Sequence, residues 1–198
     1  MLFAHVPKTG GTAIERAFSD SGFGSMYRDM SPPHKGARAL RRCSPQHLHA
    51  QLLCDLFRLD LFAITFTVVR DPVARFRSEF LYRNRRSGAS LTPELVETWG
   101  IDVLNRRKED PYVHDNHLRP QHEFVTPGMQ VYRYEDGLDV VVRSLREDHG
   151  VGVTAGLTHV NEPQGLRSDD VPITPRLLSA LLATYEADFE LFGYSADG

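Results

Sequence analysis

Met1-Leu2-Phe3-Ala4-His5-Val6-Pro7-Lys8-Thr9-Gly10-Gly11-Thr12-Ala13-Ile14-Glu15-Arg16-Ala17-Phe18 opens the chain and decides its class. Met1–Val6 reads as a short buried strand. Pro7–Gly11 is a turn, after which Ile14, Ala17 and Phe18 recur at helical spacing. The same grammar returns downstream. Leu61–Val69, rich in Phe, Ile, Val and Thr, predicts a strand, and Asp71-Pro72 starts a helix with Val73, Phe76, Phe80 and Leu81 on one side. Met129–Tyr134 reads as a strand and Leu138–Asp148 as a helix. Strands alternating with helices predict an α/β domain whose mostly parallel central sheet is flanked by helices.

Between these units the signals vary. Residues 19–43 hold turn formers and bases (Lys35, Arg38, Arg41, Arg42) and read as irregular surface. Ser44-Pro45 offers a cap and a first-turn proline for a helix with Leu48, Leu52, Leu53, Leu56 and Phe57 on one face. Residues 84–120 are polar and give no clear element. Thr174-Pro175 caps a last helix that runs to Phe189. There is no internal repeat and no low-complexity segment.

The length, 198 residues with 41% hydrophobic and 25% charged content, predicts one domain over residues 1–198 and excludes a disordered chain. A net charge of −3 argues against a dedicated nucleic-acid binder. The average hides a split. Residues 1–134 carry 19 Lys and Arg against 14 Asp and Glu, and residues 135–198 carry 4 against 12. The bases are 20 Arg and only 3 Lys. Cys43 and Cys54 fall on one predicted helix, about 16 Å apart along its axis, too far for a disulfide. Two free thiols, no signal peptide and no long apolar run predict a cytoplasmic protein without a membrane span.

The first loop sits where a strand feeds a helix. Helix N-termini present unpaired N–H groups and the positive end of the dipole, which suits an anion. Gly10 and Gly11 let the backbone approach closely, Thr9 and Thr12 add hydroxyls, and Lys8 adds a full charge. The plain alternative is an ordinary Gly-Gly turn. This is not the ATPase loop, because the lysine precedes the glycines. At the second junction, Val69-Arg70-Asp71-Pro72, Arg70 stands at the carboxyl edge of the sheet, where open α/β sheets bind ligands. Ser78 lies about two helical turns on. Arg70 and Ser78 suit one further phosphate, and a surface ion pair is the plain alternative for Arg70.

At this point the sequence resembles sulfotransferases that use 3′-phosphoadenylyl sulfate (PAPS). His5–Thr12 is similar to their 5′-phosphosulfate loop. Val69–Phe80 is similar to their 3′-phosphate strand and helix, including the Arg70-to-Ser78 spacing. Asn116–Gln121, Tyr132–Glu135, Thr158–Asn161 and Asp188–Tyr194 are weaker matches in the right order. The carbohydrate branch that includes heparan sulfate 2-O-sulfotransferase is the one most resembled. The resemblance implies a P-loop-like three-layer fold and transfer of a sulfuryl group from PAPS to a hydroxyl of a carbohydrate or glycosylated acceptor. It implies no metal. Lys8, Thr9, Gly10, Gly11, Thr12, Ala13, Arg70 and Ser78 become the expected PAPS contacts.

Such chemistry needs a charge stabiliser and a general base. Lys8 is the candidate stabiliser. His47 is the first candidate base, because it falls in the first turn of the helix expected after Ser44, off its apolar face, where the dipole keeps imidazole neutral. The family's histidine base also falls between the two cofactor motifs. His49 is the close rival, Glu15 is a third candidate, and His5 reads as a strand residue beside the loop. His117 and Arg119 are expected to shape the acceptor or cofactor edge. His114, His117 and His122 lack a closed ligand pattern for zinc. Arg83, Arg85 and Arg86, with Arg106, Arg107 and Lys108, read as a solvated face or a track for an acidic glycan. Two other classes stand beside the sulfotransferase: a P-loop-type kinase using ATP and Mg²⁺, which needs a different loop order, and a binding module that has lost turnover.

Overall fold

The computed structural model describes residues 1–27, 40–84, 91–157 and 167–195. The elements run β1 (Leu2–Ala4), α1 (Gly11–Asp20), α2 (Ala50–Leu56), β2 (Thr65–Val69), α3 (Pro72–Asn84), α4 (Pro93–Glu109), β3 (Gln130–Arg133), α5 (Leu138–Glu147), α6 (Pro175–Thr184) and α7 (Glu186–Phe192). The three strands form a parallel sheet in the order β1-β2-β3. Phe3 pairs with Phe66, and Thr67 with both Ala4 and Val131. Parallel strands are covered on both faces, and Phe66, Val68 and Val69 are buried accordingly. Thr67 is buried too, with its hydroxyl donating to the Ala4 carbonyl at 2.7 Å.

Helices flank this sheet. Ile14, Ala17 and Phe18 of α1 pack with Val141 and Leu145 of α5 and with Phe66 and Val68. Leu53 of α2 packs with Ala4 and Met129. Away from the sheet, Phe76 and Phe80 of α3, Val96 and Val103 of α4, and Leu177 and Leu181 of α6 form a helical core. The expected α/β class with a parallel sheet is the one observed.

Several elements differ from expectation. The first strand is only Leu2–Ala4, and the second begins at Thr65, after a tight turn over Leu59–Leu61. Ser44 does not cap an α-helix. Pro45–His47 is a single 3-10 turn, Leu48 is extended, and α2 starts at Ala50 with His49 as its cap. The cause is long-range, since the Ser44 amide donates to Asp115 and the Ser44 hydroxyl meets His47 instead of a helical N–H. The two cysteines therefore do not share a helix. The α4 helix occupies part of the span that gave no clear element. Its signals were present: Thr92 caps, Pro93 takes the first turn, and Val96, Gly100, Val103 and Leu104 form the buried face. The last helix is split at Tyr185, whose hydroxyl donates to the Leu118 carbonyl at 3.0 Å. Lys35, Arg38, Arg85, Arg86 and Thr158–Asn161 lie outside the described residues.

Candidate active site

The loop between β1 and α1 is held in a conformation that its residues do not favour. Lys8 has φ 71° and Gly10 φ 82°. Left-handed backbone is natural for glycine and costly for lysine, so the surrounding contacts must impose it. Thr9 is buried, with its hydroxyl turned inward onto the Val6 carbonyl at 2.8 Å. That corrects the expectation of a Thr9 hydroxyl donor facing an anion. Arg75, also buried, donates to the Pro7 carbonyl at 3.1 Å and, through Nη2, to the carbonyls of His117 and Arg119 at 2.7 Å each. Arg75 thereby ties the loop to the 117–119 segment. Gly10 is the cap residue of α1 and brings no side chain to its first turn, which continues through Gly11, Thr12 and Ala13.

Arg70 reaches the same loop. Its Nη1 donates to the Lys8 carbonyl at 3.5 Å, and its guanidinium lies over Tyr134, 4.4 Å from the ring centre. The buried Gln121 brackets the Arg70 backbone, accepting from its N–H at 2.9 Å and donating to its carbonyl at 2.7 Å. Gln121 and His122 are held in turn by the buried Asp188, which accepts both backbone N–H groups. Ser78 sits half-buried further along α3. Two cations of the expected anion site thus converge on one loop.

Beside that loop lies a row of rings. His5 and His47 meet edge-on at 5.2 Å between centres, and His47 and His117 at 4.9 Å. Tyr82 stacks on His117 at 5.8 Å, and the Lys8 Nζ lies 4.3 Å from the Tyr82 centre. Each imidazole is backed by a carboxylate. His5 Nδ1–H donates to Glu15 at 2.7 Å, His47 Nδ1–H to Asp115 at 3.0 Å, and His117 Nδ1–H to Glu79 at 2.6 Å. A donated Nδ1–H leaves Nε2 as the lone-pair nitrogen.

Burial and charge set the protonation of these pairs. Burial raises the Glu79 carboxyl, but His117 and Arg83 outweigh it and hold it at about 2. Burial pushes the His117 imidazole down to about 4, so the shared proton belongs to a neutral ring. Burial also opposes ionisation of Asp115, yet the hydrogen bonds from His47 and from the Ser44 backbone bring it well below the usual carboxylate range. Burial lowers His5 too, against the pull of Glu15.

The backbone that presents Asp115 is itself unusual. His114, Asp115 and Asn116 have φ 53°, 62° and 64° in succession. Asn116 donates to the His47 carbonyl at 2.8 Å and accepts from Arg119 at 3.0 Å, which locks this turn onto the histidine segment. His49 stands apart. It is buried, with Nδ1 taking the Leu52 N–H as the α2 cap and Nε2 meeting the Tyr112 hydroxyl at 3.3 Å. Both of its ring nitrogens are engaged in structure. Glu15 serves His5. His47, Asp115 and His117 could together hold a metal ion, with one ligand atom of each within 4.8 Å of the others.

A family model described as the sulfotransferase family matches residues 1–195. The chain belongs to the sulfotransferase family. Sulfuryl transfer in general and a P-loop-like fold come with that membership. No curated protein and no solved structure matches the chain. Among the described residues, no helix of this sulfotransferase is long and apolar enough to cross a membrane. Lys8, Arg70, His5, Glu15 and His47 were legible from sequence position. Asp115, Glu79 and Tyr82 were not, because their partners lie 68 residues (His47), 38 residues (His117) and a whole ring stack away. Glu79 at least stood inside the Val69–Phe80 motif.

Proposed function

We propose that this sulfotransferase moves a sulfuryl group from PAPS to a hydroxyl of a carbohydrate or glycosylated acceptor and releases adenosine 3′,5′-bisphosphate. The carrying observation is the convergence of Lys8, Arg70 and the glycine-led α1 N-terminus beside an imidazole row. The donor set fits a phosphosulfate, since a helix N-terminus led by Gly10 and Gly11 presents backbone N–H groups and two cations, Lys8 and Arg70, belong to the same loop region. Residues 8–13 would hold the 5′-phosphosulfate, and Arg70 with Ser78 the 3′-phosphate. The whole chain, 1–198, acts as one domain in this reading, and the heparan sulfate 2-O branch is the resemblance that suggests a carbohydrate acceptor.

In the reaction, the acceptor oxygen forms a bond to sulfur as the bond from sulfur to the bridging phosphate oxygen breaks. The electron pair leaves with the bisphosphate. Lys8 and the α1 N–H groups stabilise that growing charge, where a fixed donor does most good. The acceptor proton passes to His47 Nε2, and Asp115 steadies the imidazolium that results. The engagement of both His49 nitrogens and of Glu15 favours His47 over its rivals. No metal takes part in these steps.

Calorimetry tests the reading. Adenosine 3′,5′-bisphosphate should bind, and Arg70→Ala should weaken it by about tenfold or more. Tight binding of ATP–Mg²⁺ with no binding of the bisphosphate would instead favour a kinase.

A further inference from the structure

The row of imidazoles carries a second chemistry. We propose that His47, Asp115 and His117 form a binding site for a borderline transition-metal ion of the Zn²⁺ or Co²⁺ class.

The donor set selects the ion. Two imidazoles and one carboxylate suit Zn²⁺, Co²⁺ or Ni²⁺, whereas Mg²⁺ and Ca²⁺ want oxygen shells. The three ligand atoms already lie within 4.8 Å of one another. Donors about 2.1 Å from one ion stand roughly 3.0–3.4 Å apart. His47 Nδ1 and Asp115 Oδ2, at 3.0 Å, meet that spacing as they stand. His117 has to close by about 1.8 Å at most, within reach of a side-chain rotation. Solvent completes the shell.

The surroundings support these ligands as metal sites require. Glu79, buried to 1% exposure, accepts the His117 Nδ1–H at 2.6 Å and leaves Nε2 for the ion. A carboxylate behind a ligating histidine is the usual orienting partner. Arg83 holds the other Glu79 oxygen at 2.6 Å. The left-handed run His114–Asn116 aims Asp115 at His47, and Asn116 pins the His47 backbone. Three such residues in succession store strain, which is found at ligand clamps.

Binding through His47 Nδ1 moves that ring's proton to Nε2. The lone pair that takes the acceptor proton is then gone, so the ion inhibits transfer. That consequence alone rests on the sulfuryl-transfer reading; the binding itself does not.

CoCl2 titrated into the untagged full chain, followed by calorimetry and visible absorption, tests the site. We expect one Co²⁺ per chain with ligand-field bands, displaced by ZnCl2. Asp115→Asn and His117→Gln should each weaken Co²⁺ binding by about 10- to 100-fold. Asparagine tolerates the left-handed backbone at 115, so that variant keeps its fold. The circular dichroism spectrum of each variant should match that of the parent, which certifies the fold, and adenosine 3′,5′-bisphosphate is titrated into the parent alone. Absence of saturable Co²⁺ binding, or unchanged Co²⁺ affinity in both variants, overturns the site. Co²⁺ binding without bisphosphate binding would sink the sulfotransferase reading of the loop and leave the metal site standing.

Discussion

Gly11→Ala tests how tightly the loop and the histidine row are built together. A Cβ at position 11 would lie 2.2 Å from His5 Cδ2 and Nε2 and 2.8 Å from Cε1. Carbon contacts settle at about 3.5 Å, so the ring must retreat by about 1.3 Å. It has no easy route. Phe3 stacks on it at 5.5 Å and His47 meets it edge-on at 5.2 Å between centres. Retreat also stretches the 2.7 Å bond to Glu15. Overpacking costs about 1–3 kcal/mol and the loss of a hydrogen bond to a charged group about 1.5–3 kcal/mol. A net loss of about 3 kcal/mol lowers Tm by about 6–12 °C in a chain of this size. Calorimetric melting of Gly11→Ala, His5→Ala and the double variant reads the coupling. With the ring gone, alanine at a helical position is neutral or slightly stabilising, so the double variant should melt close to His5→Ala. A single Gly11→Ala variant that melts like the parent, or strictly additive losses, would refute the wedge.

Other outcomes follow from named contacts. Lys8 holds φ 71°, so Lys8→Gly should be about 1 kcal/mol more stable to urea than Lys8→Ala, although both lose the charge; equal stability would remove the strain. His122 is raised above its ordinary value, first by its hydrogen bond to Asp188. A raised folded pKa means that its stabilisation is fully present below about pH 6.5 and is lost as pH rises through the folded value. The stability difference between the parent and His122→Gln should therefore shrink from pH 6 to pH 9 in urea unfolding, and a difference that grew would reverse the sign. Burial pushes the Cys43 thiol up to about 11, while Cys54 is exposed. A thiol reagent at pH 8 should find one fast cysteine per chain, and Cys54→Ser should abolish that phase.

The order of the elements follows from interactions between near neighbours in the chain. Strand, glycine loop and helix at the N-terminus, the Arg70 junction and the Thr174-Pro175 cap are all decided by neighbours a few residues apart, through sterics, capping and hydrophobic period. The α4 helix was equally local, with Thr92-Pro93 as its start, and was obscured only by the polar residues around it. Ser44-Pro45 misled because a local cap was outbid by Asp115, which lies 71 residues away. The imidazole–carboxylate pairs share that origin. His47 with Asp115 and His117 with Glu79 exist only after α3 and the 114–117 turn have packed beside the loop. Hydrogen bonds and ring contacts act over a few ångströms in space and take no account of distance along the chain. Which histidines have a carboxylate behind them, and which of them stand beside Lys8, is therefore set by packing in space.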